Sequence, residues 1–184
     1  MAKTNIYDFS SYLGGAARPS QFRVHINFPS ELVSDGSNAK RAATFLTHQA
    51  QIPNYRTEDT QIYFRGRVFH EAGEPQFDPW TCSIYNSADF GVRNALEQWV
   101  NAINAPDVVH GITRPETYKG TVFVEHLDRE GNTIRVYKLV GAWPSDTGTI
   151  ELSYQQANEA EQYQVTFTYD YFVKGGAELL DSAS

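Results

Sequence analysis

The chain has 184 residues, enough for one domain with a sizeable core. Its formal charge is −7, with 15 Lys and Arg against 22 Asp and Glu, and no basic run offsets that balance, which excludes tight binding to a phosphate backbone. Aromatic side chains make up 14%, favouring strands, and Cys82 stands alone, which excludes an internal disulfide and a CxxC-type metal site.

Residues 1–20 read as a polar N-terminal arm, with no apolar core of the length a signal peptide needs. Phe22, Val24, Ile26 and Phe28 then alternate with Gln21, Arg23, His25 and Asn27, the period of a half-buried strand. Residues 30–41 are polar with a turn signal at Asp35-Gly36, and predict a loop. A strand is expected through Phe45 and Thr47. Tyr55 to Phe69 is strand-like yet charged every few residues, and Gly66 marks a bulge or turn. Glu71 to Pro75 reads as a loop.

Trp80 to Tyr85 is short, aromatic and bounded by turn residues, so a strand is predicted there. The stretch that follows is the one convincing helix, expected over 88–104. Val92, Leu96, Trp99, Val100 and Ile103 share one arc, with Trp99 at its centre. Ser87 is the expected cap, and Pro106 closes the end. Phe90 lies off the arc. Residues 105–120 hold two prolines and two glycines and read as a connecting loop. Thr121–Leu127 and Thr133–Trp143 form a hairpin around Asp128–Asn132, and residues 143–148 form a turn. A second pair is expected from Thr149–Gln155 and Gln162–Val173. In its last strand Tyr163, Val165, Phe167, Tyr169 and Tyr171 share one face. The opposite face carries Gln162, Gln164, Thr166, Thr168 and Asp170. It is either an ordinary wet face, or it belongs to a strand whose polar face lines a shared cavity or whose edge pairs with another chain. A polar tail occupies 174–184.

The fold class expected from this pattern is mainly β: two packed antiparallel sheets, sandwich or barrel, with one flanking helix. The whole of 1–184 is taken as one domain, soluble and cytosolic. No apolar run approaches a membrane span, so no membrane insertion is expected. The five histidines form no HExxH-like spacing, and no GxSxG, P-loop or GxGxxG occurs. Catalytic, cofactor and metal residues are therefore expected to be absent. Glu71, Glu74 and Asp78 form a small acidic cluster able in principle to do acid–base work, against the plainer reading of a solvated loop.

Four segments together resemble one family. They are Ala17-Arg18-Pro19 running into Phe22, Val24 and Ile26; Phe77-Asp78 with Trp80-Thr81, Arg93 and Trp99; Gly141-Ala142-Trp143-Pro144 with Gly148 and Leu152; and Val165 with Tyr169-Asp170-Tyr171. In this order they look like the tail tube proteins of T-even-type contractile phages. The loop 29–44 and the tail after Val173 depart from that pattern. The resemblance implies two packed β-sheets with a flanking helix, and rings of six copies whose strands join in one barrel around a lumen. Stacked rings would form a tube inside a contractile sheath, in the virion tail, assembled in the host cytoplasm. Implied partners are further copies of the chain, the sheath, tape measure, baseplate and tail terminator proteins, and genomic DNA passing without tight binding. An acidic inner wall would let DNA slide. The region before the Phe-Asp-x-Trp strand is implied to reach the next ring. That makes Tyr55, Arg56, Glu58, Asp59, Tyr63, Arg65 and Arg67 the inter-ring candidates. Val92, Leu96, Trp99 and Ile103 are the core candidates. The resemblance extends to tubes of type VI-like secretion and other contractile injection systems. From a different class, a β-sandwich carbohydrate-binding module would use exposed Trp and Tyr.

Overall fold

The computed structural model describes residues 5–13, 16–104, 111–155 and 159–181. Gly14-Gly15, residues 105–110 of the expected connecting loop, residues 156–158 and the end of the tail lie outside the described residues. Helix α1 (Ile6–Leu13) precedes β1 (Phe22–Asn27). Next come α2 (Gly36–Leu46), β2 (Thr47–Ala50), β3 (Tyr55–Phe64), β4 (Arg67–Phe77), β5 (Trp80–Tyr85) and α3 (Gly91–Ile103). The chain then runs through α4 (Pro115–Tyr118), β6 (Gly120–Leu127), β7 (Thr133–Asp146), β8 (Gln162–Thr168), β9 (Tyr171–Gly175) and α5 (Glu178–Asp181).

Every strand pair is antiparallel. One sheet runs β1-β6-β7-β9, and the other runs β2-β5-β8-β7. They share β7, whose first part pairs with β6 and β9 and whose end, Trp143–Asp146, pairs with β8. The strand changes sheets at Gly141, where φ is +67°. A side chain there would run into the Asp170 carboxylate, so only glycine fits.

The alternation read from the sequence places the core. Val24, Ile26, Val122, Val124 and Leu139 face inward from the first sheet. Trp80, Cys82, Ile84, Tyr163, Val165 and Phe167 face them from the second, paired residue against residue across β5 and β8. Tyr169 is buried, as the shared face predicts, but Tyr171 is half exposed. The chain breaks at Tyr169-Asp170 and starts β9 against a different partner, so the expected single strand 162–173 is two. Residues 149–155 form no strand, and β7 runs on through the expected turn at 143–146.

The main helix is shorter at its start than the sequence suggests. Phe90, in left-handed conformation at φ 54°, stands where Ser87 was expected. The Ser87 hydroxyl instead donates to Asp89, whose carboxylate accepts the Gly91 amide at 3.3 Å. Val92, Leu96 and Trp99 are fully buried, as their arc predicts, while Ile103 is partly buried against the same cluster. Trp99 meets Phe28 edge-on and Phe167 at a tilt, and donates its Nε1–H to the Tyr118 carbonyl at 2.7 Å.

A second long helix, α2, replaces the latter half of the loop expected over 30–41, leaving residues 30–35 non-helical, and delays the strand expected through Phe45 and Thr47 to Thr47. Ala39, Ala42, Ala43 and Leu46 fall at i, i+3, i+4 and i+7 and pack α2 onto the body. Small side chains let it approach α3 and β1 closely. Likewise Glu71–Pro75 is not a loop: β4 runs through it to Phe77.

Trp99→Ala is expected to cost about 3–5 kcal/mol, the range for a deleted buried aromatic. Thermal or denaturant unfolding of the purified variant measures it, and an unchanged midpoint would remove Trp99 from the centre of the core.

Candidate functional site: surfaces built for assembly

The candidates for chemistry are dispersed. Glu71 and Asp78 sit seven residues apart along extended chain, roughly 23 Å at the usual rise of a strand. That is too far for a carboxylate pair around one bond. Asp78 pairs instead with Arg56 at 3.4 Å. Among the described residues no three His, Cys, Asp or Glu gather around a point that would hold a metal ion. Cys82 is a packing residue, its thiol pushed up to about 12 by burial.

One polar cluster is buried. Glu125 on β6 is 1% exposed. His25 Nε2 donates to it at 2.5 Å, Arg23 lies 3.6 Å away and the Thr133 hydroxyl donates at 3.3 Å. The Thr44 hydroxyl of α2 lies 3.3 Å from the other nitrogen of His25, Nδ1. Burial alone would raise the Glu125 pKa, but the hydrogen bond and charge of His25, with Arg23 and Thr133, outweigh it and hold the carboxyl below its ordinary value. The cluster joins β1, β6 and β7 to α2; it is structural.

The surfaces that stand out are exposed ones. β3 and β4 form a separate two-stranded hairpin, and all ten residues of β3 are exposed. Arg65 (φ 46°) and Gly66 (φ 81°) make its two-residue turn, both in the left-handed region that such turns require. Ten residues of strand reach about 33 Å. Along this arm Ile62, Tyr63, Phe64, Val68 and Phe69 stand in solvent. An isolated hairpin is marginal by itself.

The inter-ring candidates divide here. Tyr55 sits at the hairpin's base against Phe77 and Phe172, so it anchors the arm to the body. Arg56 is taken by Asp78, Asp59 accepts from His70 at 2.8 Å, and Glu58 accepts from Gln76. Tyr63 donates to Gln61 at 2.9 Å, within the arm. Arg65 leans over Phe64 at the tip, and Arg67 follows it without an ion-pair partner among the described residues. Of these candidates, the cations without an ion-pair partner among the described residues are the two arginines at the tip.

Of two further surfaces, the first escaped the sequence reading, and the second extends the polar face read there from Gln162 to Thr168. Helix α1 buries none of its residues and leaves Ile6, Tyr7, Phe9, Tyr12 and Leu13 in solvent. The second sheet has free edges at β2 and at Trp143–Asp146. Its outer face is polar and almost uncharged: Gln49, Thr81, Ser83, Gln162, Gln164, Thr166 and Thr168.

Among the described residues no catalytic or metal-binding group is assembled, and the surfaces that stand out are sheet edges and exposed apolar side chains, a pattern suited to a structural subunit. Comparison with known proteins agrees: the family described as "Phage tail tube protein" matches residues 17–174. The chain belongs to the phage tail tube protein family. It is 26% identical over 162 residues to "Tail tube protein gp19" of Enterobacteria phage T6, covering 86% of this chain and 92% of that protein. The same identity and coverage hold for "Tail tube protein gp19" of Enterobacteria phage T4. Among solved structures, the fold is shared with a chain of the anti-feeding prophage baseplate (TM-score 0.63, 11% identity, 88% of this chain and 97% of that one). It is also shared with a chain of the sheath/tube terminator of the PVC extracellular contractile injection system (TM-score 0.59, 11% identity, 84% and 93%). The tail tube family is structural and not an enzyme family, and this chain is a tail tube subunit, a component of the phage tail.

Glu125→Gln should lower stability by about 1–3 kcal/mol at neutral pH, the scale of a hydrogen bond to a charged group. Because the folded carboxyl titrates low, its contribution is complete above the ordinary glutamate pKa. It is lost as the pH falls through the lowered folded value. The variant's stability should thus fall less steeply in acid than the parent's, as urea unfolding across that range will show.

Proposed function

We propose that this tail tube protein closes head-to-tail into rings of six, and that the rings stack into a hollow tube inside a contractile sheath. The observation that carries this reading is the second sheet. One of its faces is buried, the other is polar and wet, and its two free edges, β2 and the end of β7, bound opposite sides. Edges of that kind invite pairing with another chain, and closing them around a ring removes them. The polar face then lines the lumen, through which DNA passes. Six-fold rings and a shared barrel follow from the resemblance to T-even-type tubes, and the open edges support them.

The β3–β4 hairpin serves stacking. It projects from the body, and its exposed Tyr63, Phe64 and Phe69 suit the centre of an interface, with Arg65 and Arg67 at the tip. Each rim ion pair contributes of order 0–1 kcal/mol, and repetition around the ring multiplies it. Sheath, tape measure, baseplate and terminator proteins are the further partners. The solved chains of like fold come from a baseplate and a sheath/tube terminator of contractile systems, which supports sheath, baseplate and terminator contacts. Assembly takes place in the host cytoplasm. The curated phage relatives favour a phage tail over a secretion or toxin-delivery tube.

Electron microscopy of the purified protein tests this reading. Rings and tubes are expected for the parent, and Arg65→Glu/Arg67→Glu should leave rings with a normal fold and no long tubes. A monomer at every concentration would refute ring formation, and variant tubes of parental length would move stacking to α1 or the tail. Duplex DNA should bind more weakly than micromolar at physiological salt, measurable by fluorescence anisotropy.

A further inference from the structure

We infer that the ring contact is keyed by an acidic, aromatic segment, Glu151–Tyr154, seated in a basic groove of the next copy between α2 and β1. This rests on the ring reading above.

The groove lies beside the β2 edge. Arg23, His25, Lys40, Arg41, Phe45 and His48 line it. Phe45 is 78% exposed, an unusual position for a large aromatic at the end of a packed helix. Among the described residues Lys40 and Arg41 have no carboxylate within ion-pair distance, whereas Arg23 is engaged by buried Glu125. A concentration of cations is notable in a chain of net charge −7.

The complementary segment lies at the opposite edge of the same sheet. After β7 ends at Asp146, the chain runs on outside β8, with the α-carbon of Gly148 tight against the Gln164 backbone. The Arg93 guanidinium clamps this turn, donating to the carbonyls of Thr147 and Gly148 at 2.6 and 2.9 Å. The residues beyond it form no strand and expose Leu152 at 80% and Tyr154 completely. Glu151 and Glu159 have no basic partner among the described residues.

The sheet order β2-β5-β8-β7 sets these two surfaces on opposite flanks of one sheet. A head-to-tail contact that brings one copy's β7 edge to the next copy's β2 edge therefore brings segment to groove. Backbone pairing at that edge is short: only Trp143–Asp146 is extended, and Pro144 has no N–H to give. Side chains must supply the register that so short a ladder cannot. Leu152 and Tyr154 then cover Phe45, and Glu151 with Glu159 meets Lys40 and Arg41. Opposite charge fixes the direction of the contact, since a groove facing a groove would be repelled.

A charge swap tests this. Ring content is followed by native mass spectrometry and electron microscopy, with circular dichroism as the fold control. Lys40→Glu/Arg41→Glu should cut the ring fraction at least tenfold at matched concentration, and Glu151→Lys/Glu159→Lys should do the same. Combining all four changes in one chain should restore rings, because each copy carries both surfaces. A second, charge-independent measurement uses Phe45→Cys/Tyr154→Cys under mild copper–phenanthroline oxidation. Covalent ladders that end in a closed ring are expected, with buried Cys82 a bystander. Rings that survive either reversal, or no interchain disulfide within intact rings, overturn this contact and leave the ring reading standing. A parent chain that forms no rings overturns both.

Discussion

The architecture depends on one strand changing sheets. β7 pairs with β6 and β9 along its first part and with β8 at its end, and it turns between them at Gly141. The turn is fixed by a partner far along the chain. Asp170 packs its carboxylate against the glycine, its amide donates to the Val140 carbonyl at 3.0 Å, and Lys119 holds the carboxylate at 2.7 Å. With the two sheets joined at this corner, their inner faces meet at a set angle. Trp99 fills the wedge between them. Gly120 at the start of β6 is hemmed in by two neighbours: a Cβ would lie 2.7 Å from the Asn27 carbonyl oxygen and 2.9 Å from the indole. Substituting the corner or the wedge therefore reaches both sheets at once.

The helices complete a body whose sheets alone would leave their inner edges open. α2 and α3 pack on one another and cover that side, with the alanines of α2 allowing close approach. The buried Glu125 cluster ties α2 to the first sheet through His25 and Thr44. A buried carboxylate is tolerable because its oxygens are met by His25, Arg23 and Thr133. Such a cluster gives little net stability compared with an apolar core, yet it is costly to break from one side. Its consequence is positional: it fixes where α2 sits, and so where the basic groove beside it opens.

Much of this was legible in the sequence where one face is buried, because burial enforces period. Val24 and Ile26, Trp80 to Ile84, Tyr163 to Phe167 and the arc from Val92 to Trp99 all follow it. The family motifs were legible as patterns but not as contacts: Gly141-Ala142-Trp143-Pro144 and Tyr169-Asp170-Tyr171 meet at the corner, and nothing local says so. α2 was hidden because its buried stripe is mostly alanine, which carries little hydrophobic signal, although Ala39, Ala42, Ala43 and Leu46 have helical spacing. The end of β4 was hidden because Glu71, Gly73 and Pro75 are poor strand formers. They are held extended only by pairing across from Thr60 and Thr57 in an arm with no interior. Tyr55, an inter-ring candidate in the sequence, has its ring at the base of the arm beside Phe172, a contact between distant segments that no local pattern shows. The groove beside α2 and the exposed residues 151–154 follow no buried period within the chain, which is why neither was visible in the sequence.

The distribution of charge separates two ways of letting a polyanion pass. An acidic wall would repel it; a neutral one simply offers nothing to hold it. The outer face of the second sheet is of the second kind, with Gln49, Ser83, Gln164, Thr81, Thr166 and Thr168 across β2, β5 and β8 and no Lys or Arg among them. The acidic residues gather at its margin instead, at Asp146, Glu151, Glu159 and Glu161. If that face lines the lumen, these four carboxylates stand at the edge where copies would meet. There they can direct association between copies. Hydroxyl and amide side chains hold water at the surface, so a phosphate passing them exchanges one hydrogen-bonding partner for another with little net gain. On the proposed ring reading, low friction follows from the wall's lack of cations, and the carboxylates at its margin are left to specify assembly.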